Sequence, residues 1–250
     1  MGSRAVHATF PELATHRIVM KHPLAALAIA LALPWTAHAD LAFNASAVSD
    51  YRYRGISQTR LRPALQAGVD YSHDSGFYAG AWASTLRWVR DGGGDGRVEL
   101  DLYTGLKGTW GDGWGYDLGV LRYQYPRNHL PVNANTTELY AALSQGPFML
   151  KYSRSTTPLF GTAGSRGSGY LDAGASLEWE GITIAPHIGR QIVARNGALS
   201  YTDYSLTLSK TVQGVVLSAA WVGTSTRTYR GPEQQNLGKS GLVIGARLNF

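Results

Sequence analysis

The sequence predicts an all-β protein, a closed antiparallel up-and-down transmembrane β-barrel of about twelve strands, with ten and fourteen as the neighbouring counts. Three observations predict it. Apolar and polar residues alternate with a period of two along most of residues 40–250, and no stretch there sustains the 3.6-residue apolar period of a helix. The connections between the alternating runs are short and long by turns, as in a barrel with tight turns at one end and loops at the other. The final run places Leu242, Ile244, Ala246, Leu248 and Phe250 on one face, opposite Arg247 and Asn249.

The alternating runs centre on 43–53, 64–72, 77–88, 98–107, 116–125, 137–144, 148–154, 170–179, 182–192, 202–210, 215–224 and 242–250. Most are close to the 9 to 11 residues that a tilted strand needs to cross a bilayer. His73-Asp74-Ser75-Gly76, Gln145-Gly146-Pro147, Glu180-Gly181 and Thr211 to Gly214 have the composition of tight turns. Longer loops occupy 54–63, 89–97, 126–136, 155–169, 193–201 and 225–241. In the third run Tyr78, Trp82, Leu86 and Trp88 share a face that is expected to meet lipid. In the eighth, Leu171, Ala173, Ala175, Leu177 and Trp179 do so. Around Tyr116 to Tyr125 the parity reads either way, and Val215 to Val222 is apolar on both faces. Tyr51, Tyr53, Tyr71, Trp88, Trp110, Trp114, Tyr123, Tyr125, Trp179 and Trp221 lie near run ends, where aromatic girdles of membrane barrels form.

A soluble barrel would turn the apolar face inward. A twelve-stranded barrel is too wide for side chains alone to fill easily, because about eight strands already give a filled interior. The charged face is therefore expected to line a wet lumen.

Residues 1–39 read as a signal-peptide region, with Met20-Lys21-His22 as a basic start, Leu24 to Leu33 as the apolar stretch and Ala37-His38-Ala39 before a cut at Asp40. That apolar stretch is about half of the roughly 20 residues a spanning helix needs. Residues 1–19 are expected to be an upstream start-codon artefact, and residues 40–250 a single barrel domain in the bacterial outer membrane. The chain has no cysteine, which excludes disulfides and cysteine-ligated metals.

Three stretches carry a resemblance to a known family: Ser49 to Gln58 (SDYRYRGISQ), Pro63 to Ser84, and Glu99 to Gly105 (ELDLYTG). They resemble the TorF-type family of outer-membrane porins, most closely in the first third of the mature chain. The resemblance implies a porin-like barrel and says little about the solute. The arginine-containing segment Arg227 to Arg230 departs from the family pattern.

Strand parity puts Asp50, Arg52, Arg54, Asp70, Arg87, Glu99, Asp101, Tyr103, Arg122, Glu138, Tyr140, Lys151, Asp172, Glu178, His187, Asp203 and Arg247 on the pore lining. Such mixed linings tune the selectivity of a pore; paired charges could equally plug a narrow lumen. The loop side is rich in arginine: Arg60, Arg62, Arg90, Arg97, Arg127, Arg154, Arg166, Arg190, Arg195, Arg227 and Arg230. Two readings of that rim stand. Arginine suits bidentate contact with the phosphates of outer-membrane lipids such as lipopolysaccharide; a basic mouth would also concentrate anionic solutes. Nucleic acid is not expected as a partner, because the arginines are spread over many loops of an exported chain.

Catalytic motifs are missing. The sequence has no G-x-S-x-G elbow and no H-E-x-x-H, and the glycine-rich stretch 91–96 lacks the Lys-Ser/Thr of a phosphate loop. No enzyme activity, metal or cofactor is expected. The expected function is passive diffusion of small hydrophilic solutes through the lumen. The alternatives are a closed structural, lipid-binding or adhesin-like barrel and, more remotely, an outer-membrane hydrolase. Phe250 is expected to serve as the C-terminal signal for the outer-membrane assembly machinery.

Overall fold

The structure, a computed structural model, describes residues 39–250. The expected signal peptide falls almost wholly outside the described residues. In chain order the elements are β1 (Ala39–Val48), β2 (Arg52–Tyr53), β3 (Ile56–Ser57), β4 (Ala64–His73), β5 (Phe77–Thr85), α1 (Trp88–Asp91), β6 (Val98–Trp110), β7 (Trp114–Gln124), β8 (Thr136–Gln145), β9 (Phe148–Ser155), β10 (Gly169–Ala175), β11 (Leu177–Trp179), β12 (Ile182–Ile192), β13 (Tyr201–Val212), β14 (Val215–Thr224) and β15 (Gly241–Asn249). A short 3-10 turn, Gly197–Leu199, lies between β12 and β13.

All long strands pair antiparallel with their neighbours, and β1 pairs with β15 from Asn44↔Asn249 to Val48↔Gly245, which closes the sheet. β10 and β11 follow a single register along β12, with Gly174↔His187 and Leu177↔Ile184, so they form one strand interrupted at Ser176. Pro186 of β12 lies beside the interruption and has no N–H to give to the ladder. The wall is thus a closed barrel of twelve strands. At the end that holds Ala39 and Phe250 the turns are tight. Glu180-Gly181 and Gln213-Gly214 have positive φ at both central positions, the type I′ geometry that matches strand twist.

Paired Cα positions share a face, so the registers assign every strand position. Outward positions are apolar around the whole wall: Leu102, Leu118, Leu143, Leu150, Leu206, Leu217 and Ile244 are among those that stay exposed. Among the described residues no outward strand position carries a carboxylate, and the outward charges are Arg122, Arg154, Arg190 and Lys210, each within three residues of a strand end. A continuous apolar belt of this extent is costly in water and suits a hydrocarbon surround, where charge at mid-depth costs about 2–4 kcal/mol.

Several expected faces are corrected. In β5 the outward residues are Phe77, Ala79, Ala81 and Ala83, while Tyr78 and Trp82 point inward through the pairs Tyr78↔Gly105 and Gly68↔Trp82. Leu86 and Trp88 are not on this strand: they lie at its end and in α1, inside the loop end of the barrel. The first run stops at Val48 instead of reaching Tyr53: after Ser49, whose N–H donates to the Ile244 carbonyl at 2.9 Å, the chain leaves the wall and turns inward. The girdle keeps Tyr71, Trp110, Trp114, Trp179 and Trp221 outside. Tyr51, Tyr123 and Tyr125 are instead buried inside the barrel, with Tyr53 and Trp88 packed beside them.

Candidate functional site

After Ser49 the chain bends into the lumen. β2 and β3 pair as Arg52↔Ser57 and Tyr53↔Ile56, joined by Arg54-Gly55. Arg54 has φ 45° and Gly55 φ 78°, so the tip is a two-residue turn with both residues left-handed. Glycine is required at the second position. A Cβ there would lie 2.9 Å from the Asp203 Cβ and 3.2 Å from the Gly223 carbonyl oxygen, and would strike the Thr224 side chain.

Asp50 organises the base of this hairpin. Its carboxylate accepts Arg52 Nε at 2.7 Å and Thr59 Oγ1 at 3.2 Å, and also the Ser57 hydroxyl. Arg52 then donates through Nη1 to the Lys239 carbonyl at 2.6 Å, and the Ser57 N–H donates to the Leu237 carbonyl at 2.9 Å. These bonds staple the hairpin to the loop between β14 and β15. Arg60, which is also left-handed, grips Asp91 of α1 through its guanidinium. That hydrogen bond raises the Arg60 pKa above its ordinary value.

The tip contacts the opposite wall. β9 faces β1 across the ring of strands, flanked by β8 and β10. Arg54 donates from Nη2 to Glu138 Oε2 of β8 at 2.7 Å and from Nη1 to Gln191 Oε1 of β12 at 2.6 Å. Its guanidinium lies 4.1 Å from the centroid of the Tyr170 ring on β10. Along the sides, Tyr51 donates to Glu99 at 2.8 Å and Tyr125 to the other oxygen of Glu99 at 3.1 Å. The Tyr53 and Tyr123 hydroxyls are 2.7 Å apart. The Arg54 and Glu138 side chains are 7% and 3% exposed. A buried pair contributes little net stability, whereas losing one partner costs about 3–5 kcal/mol; the contact thus decides where the hairpin sits.

Above the hairpin, on the loop side, lies a vestibule of about 340 Å³ whose walls include Tyr53, Trp88, Tyr125, Phe160, Tyr201 and Tyr229. Two polar clusters line the lumen wall. On β5 to β9, the Tyr78 hydroxyl bonds to Asp117 and Tyr140, and Lys151 Nζ sits 3.7 Å from the Tyr140 ring centroid. On β10 to β13, His187 Nε2 lies 2.9 Å from Asp172, its Nδ1 lies 3.6 Å from Asp203, and the Tyr170 hydroxyl donates to Asp203 at 3.0 Å.

Of the residues assigned to the lining from sequence, Asp70, Glu99, Asp101, Tyr103, Glu138, Tyr140, Lys151, Asp172, His187, Asp203 and Arg247 occupy inward strand positions. The Tyr103 hydroxyl bonds to Asp70. Asp50, Arg52 and Arg54 are inside too, but on the inserted hairpin and its base rather than on the wall. Glu178 has inward parity at the turn end, where it is exposed and accepts the Thr183 hydroxyl. Two assignments are overturned. Arg87 is exposed in the loop before α1, because β5 ends at Thr85. Arg122 faces outward, paired with Leu102, and its Nη1 donates to Thr137 at 2.8 Å. Sequence reasoning missed Asp117, which is inward opposite Lys107, together with Tyr78, Tyr170 and Gln191. The signal for Asp117 was the same parity that misplaced Arg122.

Two solved structures show the same architecture. A NanC porin superposes with TM-score 0.54 at 12% identity, covering 84% of this chain and 99% of that one. A KdgM porin, solved in complex with disordered oligogalacturonate, superposes with TM-score 0.53 at 8% identity, covering 84% and 98%. Identities this low speak to fold alone. No curated protein sequence matches the chain. One family does match, over residues 34–245, and by that match the chain belongs to the Gcw_chp family of bacterial proteins of unknown function.

Proposed function

We propose that this protein is a bacterial outer-membrane channel for passive diffusion of small hydrophilic solutes, narrowed at its loop end by the β2–β3 hairpin. The observation that carries the reading is the pairing of an apolar outer belt with a charged interior crossed by a hairpin whose tip is anchored on the far wall. The porin architecture of the structural neighbours and the TorF-type resemblance of residues 49–58 support it. Inward carboxylates (Asp50, Asp70, Glu99, Asp101, Asp117, Glu138, Asp172 and Asp203) outnumber inward Arg52, Arg54, Lys107, Lys151 and Arg247. The passage therefore favours cations, since charged linings set ion preference.

One observation favours a second reading, a closed barrel. The tip is hydrogen-bonded to β8 and β12 while its base is tied to the β14–β15 loop, as in a plug. Liposome swelling separates the two readings. Refolded protein in vesicles should admit small neutral sugars at rates that fall with solute size; vesicles that swell no faster than protein-free controls would leave only the closed barrel.

A further inference from the structure

The outward arginines are not spread evenly. Arg122 on β7, Arg154 on β9 and Arg190 on β12 stand at the loop-side ends of alternate strands in one sector of the wall, with β8 and β10 between them. On β13, β14, β15, β1, β4 and β5 the outward residues near the loop-side ends include Thr202, Trp221, Leu242, Ala47, Leu65 and Ala83. In the middle of the basic sector a cavity opens on the outer wall, and Arg154, Arg166 and Arg195 line it together. Its lower wall is apolar: Leu139, Ala141 and Tyr152 are outward strand residues, with Leu139 and Tyr152 about half exposed. Among the described residues no acidic side chain lines this cavity.

The two loops that bring these arginines together are bonded to each other. Arg195 donates to the Gly164 carbonyl at 2.8 Å, Asn196 Nδ2 to the Ala163 carbonyl at 3.1 Å, and the Ala194 N–H to Ser168 Oγ at 3.0 Å. Arg195 is left-handed, at φ 57°. Gly167, at φ 88°, brings the loop backbone alongside the Arg154 guanidinium: a Cβ at that position would be in ordinary van der Waals contact with Nη2, at 3.7 Å. Three exposed arginines on one strand end and two mutually bonded loops, directly above an apolar wall, match an anionic head joined to acyl chains. A soluble anion has no use for the wall, and an apolar partner has none for the arginines.

We infer that the outer wall of β8 to β10, with the loops above it, binds the phosphorylated headgroup of an outer-leaflet lipid, the phosphates bridged by Arg154, Arg166 and Arg195 and one acyl chain lying along Leu139 and Tyr152. Arginine's planar fork takes phosphate oxygens in pairs, which a point charge does not. This inference rests on the membrane placement proposed above.

Native mass spectrometry of the refolded barrel in non-ionic detergent tests it, with a diphosphorylated glucosamine lipid as probe. A one-to-one adduct should form with the diphosphorylated lipid, fade with its dephosphorylated form, and weaken about a hundredfold in R154A/R166A/R195A, the loss expected for three arginines at a membrane surface. Equal adducts with the dephosphorylated lipid overturn the site even if the triple variant fails to fold. Full competition by inorganic phosphate at equal concentration overturns it in favour of a free-anion site. Flotation with vesicles reads the membrane placement separately. Protein that never floats overturns that placement; protein that floats but shows no phosphate-dependent adduct overturns the lipid site alone.

Discussion

Arg54 at the tip of the inserted hairpin reaches Glu138 on the opposite side of the barrel, its Nη2 2.7 Å from the carboxylate Oε2, with both side chains buried. The contact joins the loop that leaves β1 to the wall formed by β8, and so sets the width of the passage between them.

Breaking one side of this pair leaves the other charge buried, a penalty of about 3–5 kcal/mol that the hairpin can relieve by withdrawing to water. Arg54→Ala and Glu138→Ala should each free the loop, while the apolar belt and strand pairing remain. Limited proteolysis is the readout: cleavage after Arg52 or Arg60 should accelerate by at least an order of magnitude in both variants.

Gly55→Ala should act in the same way without removing any charge. Holding a non-glycine residue left-handed costs about 1–2 kcal/mol, and the added methyl meets Asp203 and Thr224. The protease sensitivity of Gly55→Ala should therefore resemble that of Arg54→Ala, with the barrel's heat-modifiable mobility on gels unchanged.

The orientation of β5 gives a sharp test of the lipid face. Ala81 is outward at mid-strand, paired with Val69 and Leu102. Ala81→Arg should cost about 2–4 kcal/mol in denaturant unfolding from vesicles, and Ala81→Leu should cost nothing. Tolerance of the arginine would put Ala81 in the lumen and return Trp82 to the lipid.

Phe250 closes the barrel seam. It exchanges backbone hydrogen bonds with Phe43 at 2.7 and 2.9 Å, and the two rings stack with centroids 6.1 Å apart. Deleting Phe250 should lower the folded yield both in cells and in spontaneous refolding. A defect confined to cells would assign Phe250 to recognition by the assembly machinery instead of closure.

The barrel was legible because period-two alternation is a property of each strand alone. What depends on neighbours was less so. In β5 the shared face of Tyr78 and Trp82 reads from sequence as the lipid face. Yet Tyr78 and Tyr103 turn inward to lie over glycines of the adjacent strand, Gly105 and Gly80, and leave small alanines outside. β7 carries polar residues on both parities, and only its pairing with β6 and β8 puts Asp117 in and Arg122 out. The inserted hairpin was the largest omission. Tyr51 to Tyr53 continues the alternation of β1, so nothing local marks the end at Val48. The trace it leaves is Arg54-Gly55, a pair suited to a two-residue turn between short polar runs.

Single-channel recording of the refolded wild type and of Arg54→Ala in planar bilayers tests whether the inserted hairpin narrows an open passage. The wild type should give small, mildly cation-selective steps, and the variant clearly larger ones once the hairpin leaves the lumen. Equal step sizes in both proteins would contradict a passage bounded by Arg54 and Glu138, and an absence of steps from both would contradict a channel.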